Sequence, residues 1–186
     1  MFTMKVDEEI ELQLLQRHHT GEFFKLIDFN RHYLRAWLSW VDEILSPFQL
    51  ESLIYMWLRQ FADNSGLTLG IRYKGTLVGS VDLHHIDWYN RQASIGYFLA
   101  EEAQGRGIVT RSVSALIQHG FLELGLNRIE IRCGERNMKS RAIPEKLGFT
   151  NEGYIREGEQ LYGQYHHLIV YGILAREWMS KPRFLY

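Results

Sequence analysis

Two glycines one residue apart stand near the middle of the chain. The segment Gln104-Gly105-Arg106-Gly107 follows an alternating apolar run at residues 93–99 and precedes apolar residues that recur at helical spacing. Glycine adopts backbone conformations that are closed to residues with a Cβ, and it lets main-chain N–H groups approach a ligand. The first N–H groups of a helix lack intrahelical partners, and the helix dipole adds positive potential there. The segment therefore predicts a strand, an anion-binding loop and a helix start, with phosphate as a suitable ligand.

Two common phosphate loops fit this segment poorly. A P-loop requires lysine and then serine or threonine after its last glycine, where this chain has Ile108 and Val109. A dinucleotide-binding loop requires a third glycine or alanine, where this chain has Thr110. Glycines also occur at ordinary helix starts without any ligand. The loop alone therefore does not identify its ligand, and the identification needs support from residues elsewhere in the chain.

The composition bounds the class of protein. A chain of 186 residues with 46% hydrophobic and 23% charged residues predicts a single globular domain over residues 1–186, with its core between residues 10 and 174. A net charge of -1 argues against a nucleic-acid partner, which normally selects a basic face. The single cysteine, Cys133, excludes an intramolecular disulfide, and no apolar run is long enough to cross a membrane. We expect a cytoplasmic protein without a membrane or nucleic-acid partner.

Hydrophobic periodicity predicts strands and helices in the order β-α-α-β-β-β-α-β-α-β-β. Lys74-Gly75 suits a two-residue hairpin loop between the second and third strands. A single helix separates the fourth strand from the fifth, near residues 128–132, so these two strands should be parallel. The glycine loop then lies at the carboxyl end of the fourth strand, where open α/β sheets bind ligands. In the following helix Asn137 is the expected N-cap, and Pro144 should kink the last turns.

Several motifs resemble those of the GNAT acyltransferases. Gln104-Gly-Arg-Gly107-Ile-Val109 is similar to their Gln-x-x-Gly-x-Gly/Ala loop, with Val109 in the place of a small residue. The second motif is Asn137-x-x-Ser140 followed by Glu145-Lys146-Leu147-Gly148-Phe149. Two further segments resemble the branch that contains the ribosomal-protein N-terminal acetyltransferases: Asn30-Arg31…Tyr33-Leu34-Arg35…Trp37-Leu38…Trp40-Val41-Asp42 and Arg156-Glu157…Glu159…Tyr162. The resemblance covers residues 10–174.

This resemblance implies the GNAT acyl-CoA N-acyltransferase fold, an α/β fold with a mixed, mostly antiparallel sheet that splays between its fourth and fifth strands. It also implies acetyl-CoA as the cosubstrate, whereas the spacing of the histidines argues against a metal. The pantetheine arm would lie in the splay, bonded to the main chain of Phe98 and Leu99, and Asn137 would contact the arm from the other side. The pyrophosphate would rest on the loop residues Gln104, Gly105, Arg106, Gly107, Ile108, Val109 and Thr110.

The implied reaction is direct attack of an amine on the thioester. A protein α-amino group is about 10% neutral at pH 7, whereas a lysine side chain is only about 0.04% neutral, so an N-terminus needs less help from a base. Glu159 is the expected base, and Ser140 the expected hydrogen-bond donor to the departing thiolate. The main-chain N–H of Leu99 would polarise the thioester carbonyl. Glu159 could instead be a solvated residue at a strand end, and Ser140 a local helix cap.

The sequence gives less information about the residues that bind the acceptor amine. Tyr33, Trp37 and Trp40 could wall an acceptor pocket, or they could pack in the core as most aromatic residues do. The adjacent histidine pairs lack metal-ligand spacing, because neighbouring residues of a strand point to opposite faces; they are His18-His19, His84-His85 and His166-His167.

Because the sequence does not identify the acceptor, three functions remain open. The leading prediction is acetylation of the N-terminal α-amino group of a protein, such as a ribosomal protein. One alternative is acetylation of a small amine or an aminoglycoside, and another is a non-catalytic CoA-binding sensor or assembly subunit. Aromatic residues at Trp88-Tyr89 and Phe184-Leu185-Tyr186 suggest a possible homo-oligomer.

Overall fold

The computed structural model describes residues 2–180 and contains eight strands and five α-helices in that range. Their bounds are β1 (Thr3–Lys5), β2 (Ile10–Leu14), α1 (Thr20–Leu34), α2 (Pro47–Ala62), β3 (Leu67–Tyr73), β4 (Thr76–Asp87), β5 (Gln92–Leu99), α3 (Ile108–Leu122), β6 (Arg128–Gly134), α4 (Met138–Lys146), β7 (Thr150–Leu161), β8 (Gln164–Leu174) and α5 (Ala175–Ser180). Short 3-10 turns occupy Arg17–His19, Ser39–Asp42 and Glu101–Ala103.

The predicted element order is confirmed, with one addition at each end. β1 and α5 were not predicted, because runs of three and six residues are too short to show a period. The predicted first, fourth and fifth strands are therefore β2, β5 and β6. α1 continues to Leu34 and therefore includes Tyr33. The suggestion of self-association through Phe184-Leu185-Tyr186 lies outside the described residues.

The strands form one sheet in the order β1-β2-β3-β4-β5-β6-β8-β7. All neighbours are antiparallel except β5 and β6, which are parallel as the single helix between them requires. The β5–β6 pairing covers only Gln92↔Arg128, Ala93↔Ile129 and Ser94↔Glu130. The two strands diverge beyond Ser94, which confirms the mixed sheet that splays at this place.

Helices cover both faces of the sheet. Successive strand residues point to opposite faces, and Phe98 and Leu99 accordingly belong to different apolar clusters. Phe98 packs with the buried residues of α1 and α2, including Phe23 and Leu50, whereas Leu99 packs on the side of α3. The splay between β5 and β6 therefore opens into a space that has helices on either side.

Two hairpins turn over two residues each. Lys74 and Gly75 have φ of 50° and 82°, and Tyr162 and Gly163 have φ of 51° and 78°. Two consecutive residues with positive φ match the type I′ turn, whose twist suits antiparallel strands. The Lys74-Gly75 hairpin is confirmed, and β7 and β8 pair as far as the Tyr162-Gly163 turn, with Leu161 opposite Gln164.

Candidate active site

The glycine loop joins the carboxyl end of β5 to the start of α3. Gly105 and Gly107 both have left-handed φ, 75° and 70°, and Gly107 is the residue before the first turn of α3. A Cβ built on either glycine would have no atom within 4 Å outside its chain neighbours. The backbone conformation therefore favours glycine at both positions, and the space above the loop is open to a ligand.

A cleft of about 630 Å³ lies between the diverging ends of β5 and β6 and extends to this loop. It collects most of the residues that the sequence proposed for the cofactor: Phe98, Leu99, Gln104, Gly105, Gly107, Ile108, Val109, Thr110 and Asn137. It is also lined by Ser140, Glu159, Tyr33 and Trp37. Residues proposed to bind the cofactor, to catalyse the reaction and to bind the acceptor thus line the same cavity.

Positive charge near the loop comes from residues that the sequence analysis missed. Arg106 does not line the cleft, and its guanidinium lies near the Glu102 carbonyl at 3.5 Å and over the Tyr73 ring at 5.9 Å. Lys139 and Lys146 of α4 line the cleft instead. Lys139 could have been suspected from its place between Asn137 and Ser140, because the first turn of α4 had to face the loop.

The main chain of β5 offers alternate residues to the gap. The Ala100 N–H donates to the Val78 carbonyl at 2.7 Å, so Ala100 is bonded toward β4. Backbone groups alternate sides along an antiparallel pair, which directs those of Phe98 toward β4 and those of Tyr97 and Leu99 toward the gap. The Phe98 side chain lines the cleft and contacts Phe23 on the α1 face, with 5.9 Å between ring centroids.

Ser140 lies on the first turn of α4 within a small polar cluster. The Asn137 side chain accepts a hydrogen bond from the Ser140 N–H at 3.1 Å, as expected for an N-cap. The Ser140 hydroxyl is 3.3 Å from both the Cys133 sulfur and the Tyr97 hydroxyl. Burial raises the pKa of the Cys133 thiol, so the thiol is neutral in its resting state. Tyr97 is not among the site residues predicted from the sequence.

A β-bulge aims Glu159 at the cleft. The β7–β8 register shifts between Ile155↔Leu168 and Glu159↔His166, and Glu157 within the bulge has a φ of 51°. A Cβ at Gly158 would lie 2.9 Å from the Ile155 side chain, so the bulge requires glycine there. Burial raises the pKa of the Glu159 carboxyl, and the neighbouring His166 opposes this shift. A carboxyl with a raised pKa is a better proton acceptor than an ordinary glutamate.

The three aromatic residues proposed for the acceptor separate into two groups. Tyr33 and Trp37 line the cleft, and a Cβ at Gly134 would lie 3.2 Å from the Trp37 ring. The Tyr33 hydroxyl accepts from the Gln104 side-chain amide, whose oxygen accepts from Lys139 at 2.9 Å. Trp40 is not among the cleft residues and packs edge-on against Phe98 at 6.1 Å, which is the core role that the sequence left open.

Residues 2–180 contain no group of three or more histidine, cysteine, aspartate or glutamate side chains that could hold a metal ion. His84 instead contacts Asp82, with 2.5 Å between Nδ1 and Oδ1. No helix in the described part of the chain is long and apolar enough to cross a membrane.

Comparison with known proteins identifies the family. The profile of the acetyltransferase (GNAT) domain matches residues 9–150. A Bacillus subtilis protein, YdaF, provisionally named a ribosomal N-acetyltransferase, is 41% identical over 182 residues, which cover 97% of this chain and 100% of that protein. This chain belongs to the GNAT acetyltransferase family.

Two solved structures narrow the assignment. RimL, a ribosomal L7/L12 α-N-protein acetyltransferase solved as a disulfide between coenzyme A and one of its cysteines, superposes with a TM-score of 0.90 at 25% identity, covering 93% of this chain and 98% of RimL. MccE, a microcin C7 self-immunity acetyltransferase bound to acetyl-CoA and AMP, superposes with a TM-score of 0.89 at 31% identity, covering 92% and 95%. This chain is an acetyl-CoA-dependent N-acetyltransferase of the ribosomal-protein N-acetyltransferase branch.

Proposed function

We propose that this enzyme transfers the acetyl group of acetyl-CoA to the N-terminal α-amino group of a protein, with a ribosomal protein as the acceptor. The observation that carries the proposal is the single cleft that contains the glycine loop, Ser140 and Glu159 together. The similarity to YdaF and RimL supports a ribosomal acceptor. Such an acceptor would place the reaction in the cytoplasm.

The cleft fits the cosubstrate in shape and in chemistry. Left-handed glycines expose the loop amides, and the first N–H groups of α3 lack intrahelical partners, which suits the pyrophosphate. Lys139 and Lys146 add positive charge. The gap-facing main chain of Leu99 would hold the pantetheine arm and polarise the thioester carbonyl. Asn137 would contact the arm with the amide nitrogen that its capping role leaves available.

We assign the chemistry to two polar residues of the cleft, Glu159 and Ser140. The neutral amine attacks the thioester carbon, the new C–N bond forms and the C–S bond breaks, and the bonding pair stays on sulfur. Glu159 accepts the proton that the acceptor nitrogen loses, directly or through one water. Ser140 donates a hydrogen bond to the developing thiolate. In RimL the coenzyme sulfur is joined to a cysteine, and Cys133 lies 3.3 Å from the Ser140 hydroxyl here.

A small acceptor is the second candidate. MccE shares 31% identity with this chain and was solved in complex with AMP as well as acetyl-CoA. Tyr33 and Trp37 could stack on a planar ring as well as pack against a peptide. Both candidate acceptors present an amine to the cleft. A protein acceptor also presents main-chain amides, which a small amine lacks.

The proposal is tested by measuring CoA thiol release from acetyl-CoA with four acceptor sets: peptides with a free serine or alanine N-terminus, the same peptides blocked by a formyl group, polyamines, and aminoglycosides. We expect turnover with the free N-termini and none with the blocked peptides. Faster turnover with a small amine would favour the second candidate. Tight CoA binding without turnover on any acceptor would indicate a non-catalytic CoA-binding subunit.

Matched substitutions test the residue roles. Glu159→Gln should reduce kcat by about 100-fold, the lower end for loss of a general base. Glu157→Gln is the control, because Glu157 is an exposed residue of the same bulge that does not line the cleft. Equal activities of the two variants would show that Glu159 is not the base.

A further inference from the structure

The cleft contains a tyrosine that the proposed mechanism does not use. Tyr97 belongs to β5 beyond Ser94, where the pairing with β6 has ended. Its side chain crosses toward α4, and its hydroxyl donates a hydrogen bond to the Ser140 carbonyl at 2.8 Å. Burial raises the pKa of this hydroxyl well above its ordinary value, so Tyr97 keeps its proton and acts as a donor at neutral pH.

Pro144 explains why this carbonyl can take a side-chain donor. In an α-helix the carbonyl of one residue accepts from the N–H four residues later, and for Ser140 that residue is Pro144, which has no N–H. α4 nevertheless continues past Pro144 to Lys146. The Tyr97 hydroxyl supplies the hydrogen bond that the proline cannot give.

This arrangement determines what surrounds the Ser140 hydroxyl. The Tyr97 proton is directed to the carbonyl, so the Tyr97 oxygen is left as an acceptor for the Ser140 hydroxyl at 3.3 Å. The other acceptor is the Cys133 sulfur, also at 3.3 Å. A neutral thiol is a weak acceptor, and 3.3 Å is long for a hydrogen bond between two hydroxyls. The Ser140 hydroxyl is therefore oriented within the cleft but weakly bonded there, and a thiolate would be a stronger acceptor.

We infer that Tyr97 is a positioning residue for the acetyl transfer: its hydroxyl donates to the Ser140 carbonyl that Pro144 leaves without a helical donor, and its oxygen is thereby kept as the acceptor that holds the Ser140 hydroxyl ready for the departing sulfur. The inference rests on the proposed function, in which Ser140 donates to that sulfur. Tyr97 acts through Ser140, so it assists the break of the C–S bond without exchanging a proton with either reactant.

The first test compares Tyr97→Phe, Ser140→Ala and the double variant in steady-state kinetics. Loss of one hydrogen bond predicts that Y97F lowers kcat about fivefold to tenfold, with the acetyl-CoA KM within about twofold of wild type. Because Tyr97 acts through Ser140, Y97F should lower kcat no further in the S140A background. Independent, multiplying effects of the two substitutions would overturn the inference.

The second test separates positioning from structural support. Pro144→Ala restores an N–H opposite the Ser140 carbonyl, and Pro144 does not line the cleft. In the Y97F background, P144A should recover the free energy of unfolding lost with the tyrosine hydroxyl, but it should not recover kcat. P144A alone should keep kcat near wild type. Recovery of kcat together with stability would show that Tyr97 only supports the helix, and would overturn the inference.

The third test does not depend on turnover. Calorimetry compares the affinities of CoA and desulfo-CoA, which lacks the sulfur, at a pH above about 8.5, where the free thiol ionises. Wild type should prefer CoA, and both Y97F and S140A should lose most of that preference. If Y97F prefers CoA over desulfo-CoA as strongly as wild type does, the inference about Tyr97 is overturned and the proposed function is not. A wild type that shows neither this preference nor acetyl transfer overturns the proposed function as well.

Discussion

Glu159 is a carboxyl that the fold holds partly out of water. Its raised pKa means that the folded chain binds the Glu159 proton more tightly than the unfolded chain does. The corresponding contribution to stability is present below the ordinary pKa of a glutamate and is lost as the pH rises through the raised value. At neutral pH the ionised carboxylate is thus slightly destabilising where it stands, which is common for a residue placed for chemistry rather than for packing.

This shift predicts the pH dependence of the reaction. For wild type, kcat/KM should fall at acid pH with a pKa above the ordinary glutamate value, and Glu159→Gln should abolish that limb and leave only the titration of the acceptor amine. The same substitution should not reduce stability at neutral pH, because it removes a charge that burial disfavours. The measurements are pH–rate profiles and chemical unfolding of both proteins. An unchanged acid limb in E159Q would assign it to another group.

At the scale of elements, the site is made by the places where regular structure is interrupted. β5 and β6 stop pairing after three residue pairs, a left-handed glycine starts α3, a proline removes one hydrogen bond of α4, and a bulge turns β7. Each interruption leaves backbone groups or side chains without their usual neighbours. These groups line the cleft, so the helices and strands act mainly as the frame that keeps the interruptions in place.

The glycine loop gives a prediction at this scale. Gly107→Ala places a Cβ on a residue with a φ of 70°, which should destabilise the protein by about 1–2 kcal/mol and raise the acetyl-CoA KM. Gly75→Ala is the control, because Gly75 has a φ of 82° in the β3–β4 turn and no atom within 4 Å of its Cβ position. It should show a similar loss of stability, read from chemical unfolding, with an unchanged KM. A KM effect of equal size in both variants would argue against a role for the loop in binding.

At the scale of the molecule, the cleft lies where the sheet divides. β1 to β5 carry α1, α2 and the glycine loop on one side of the splay, while β6, β7 and β8 carry α4 and Glu159 on the other. The two parts share the core packed around α3, the short β5–β6 pairing and side chains that cross the gap, among them Tyr97 and Lys139. A ligand in the cleft would therefore add contacts between strands that no longer pair at the splay.

We therefore expect the cosubstrate to stabilise the whole chain. CoA at about 100 times its Kd should add about 2.7 kcal/mol, which corresponds to a rise in Tm of roughly 5–10 °C for a chain of this size. Pantetheine, which lacks the pyrophosphate, should give a much smaller rise at the same concentration in a thermal melt. Equal shifts with both ligands would mean that the loop contributes nothing to binding.

The sequence by itself determined the element order, the parallel pair, the glycine loop and the N-cap of α4, because each depends on local periodicity or on the special backbone of glycine, proline and asparagine. Only the tertiary structure showed that Trp40 packs against the core, that Arg106 points away from the cleft while Lys139 faces it, and that Tyr97 bonds to Ser140. The direction of a side chain depends on the elements that pack around it, which come from distant parts of the chain. Tyr97 and Ser140 are 43 residues apart, and no local pattern records their contact.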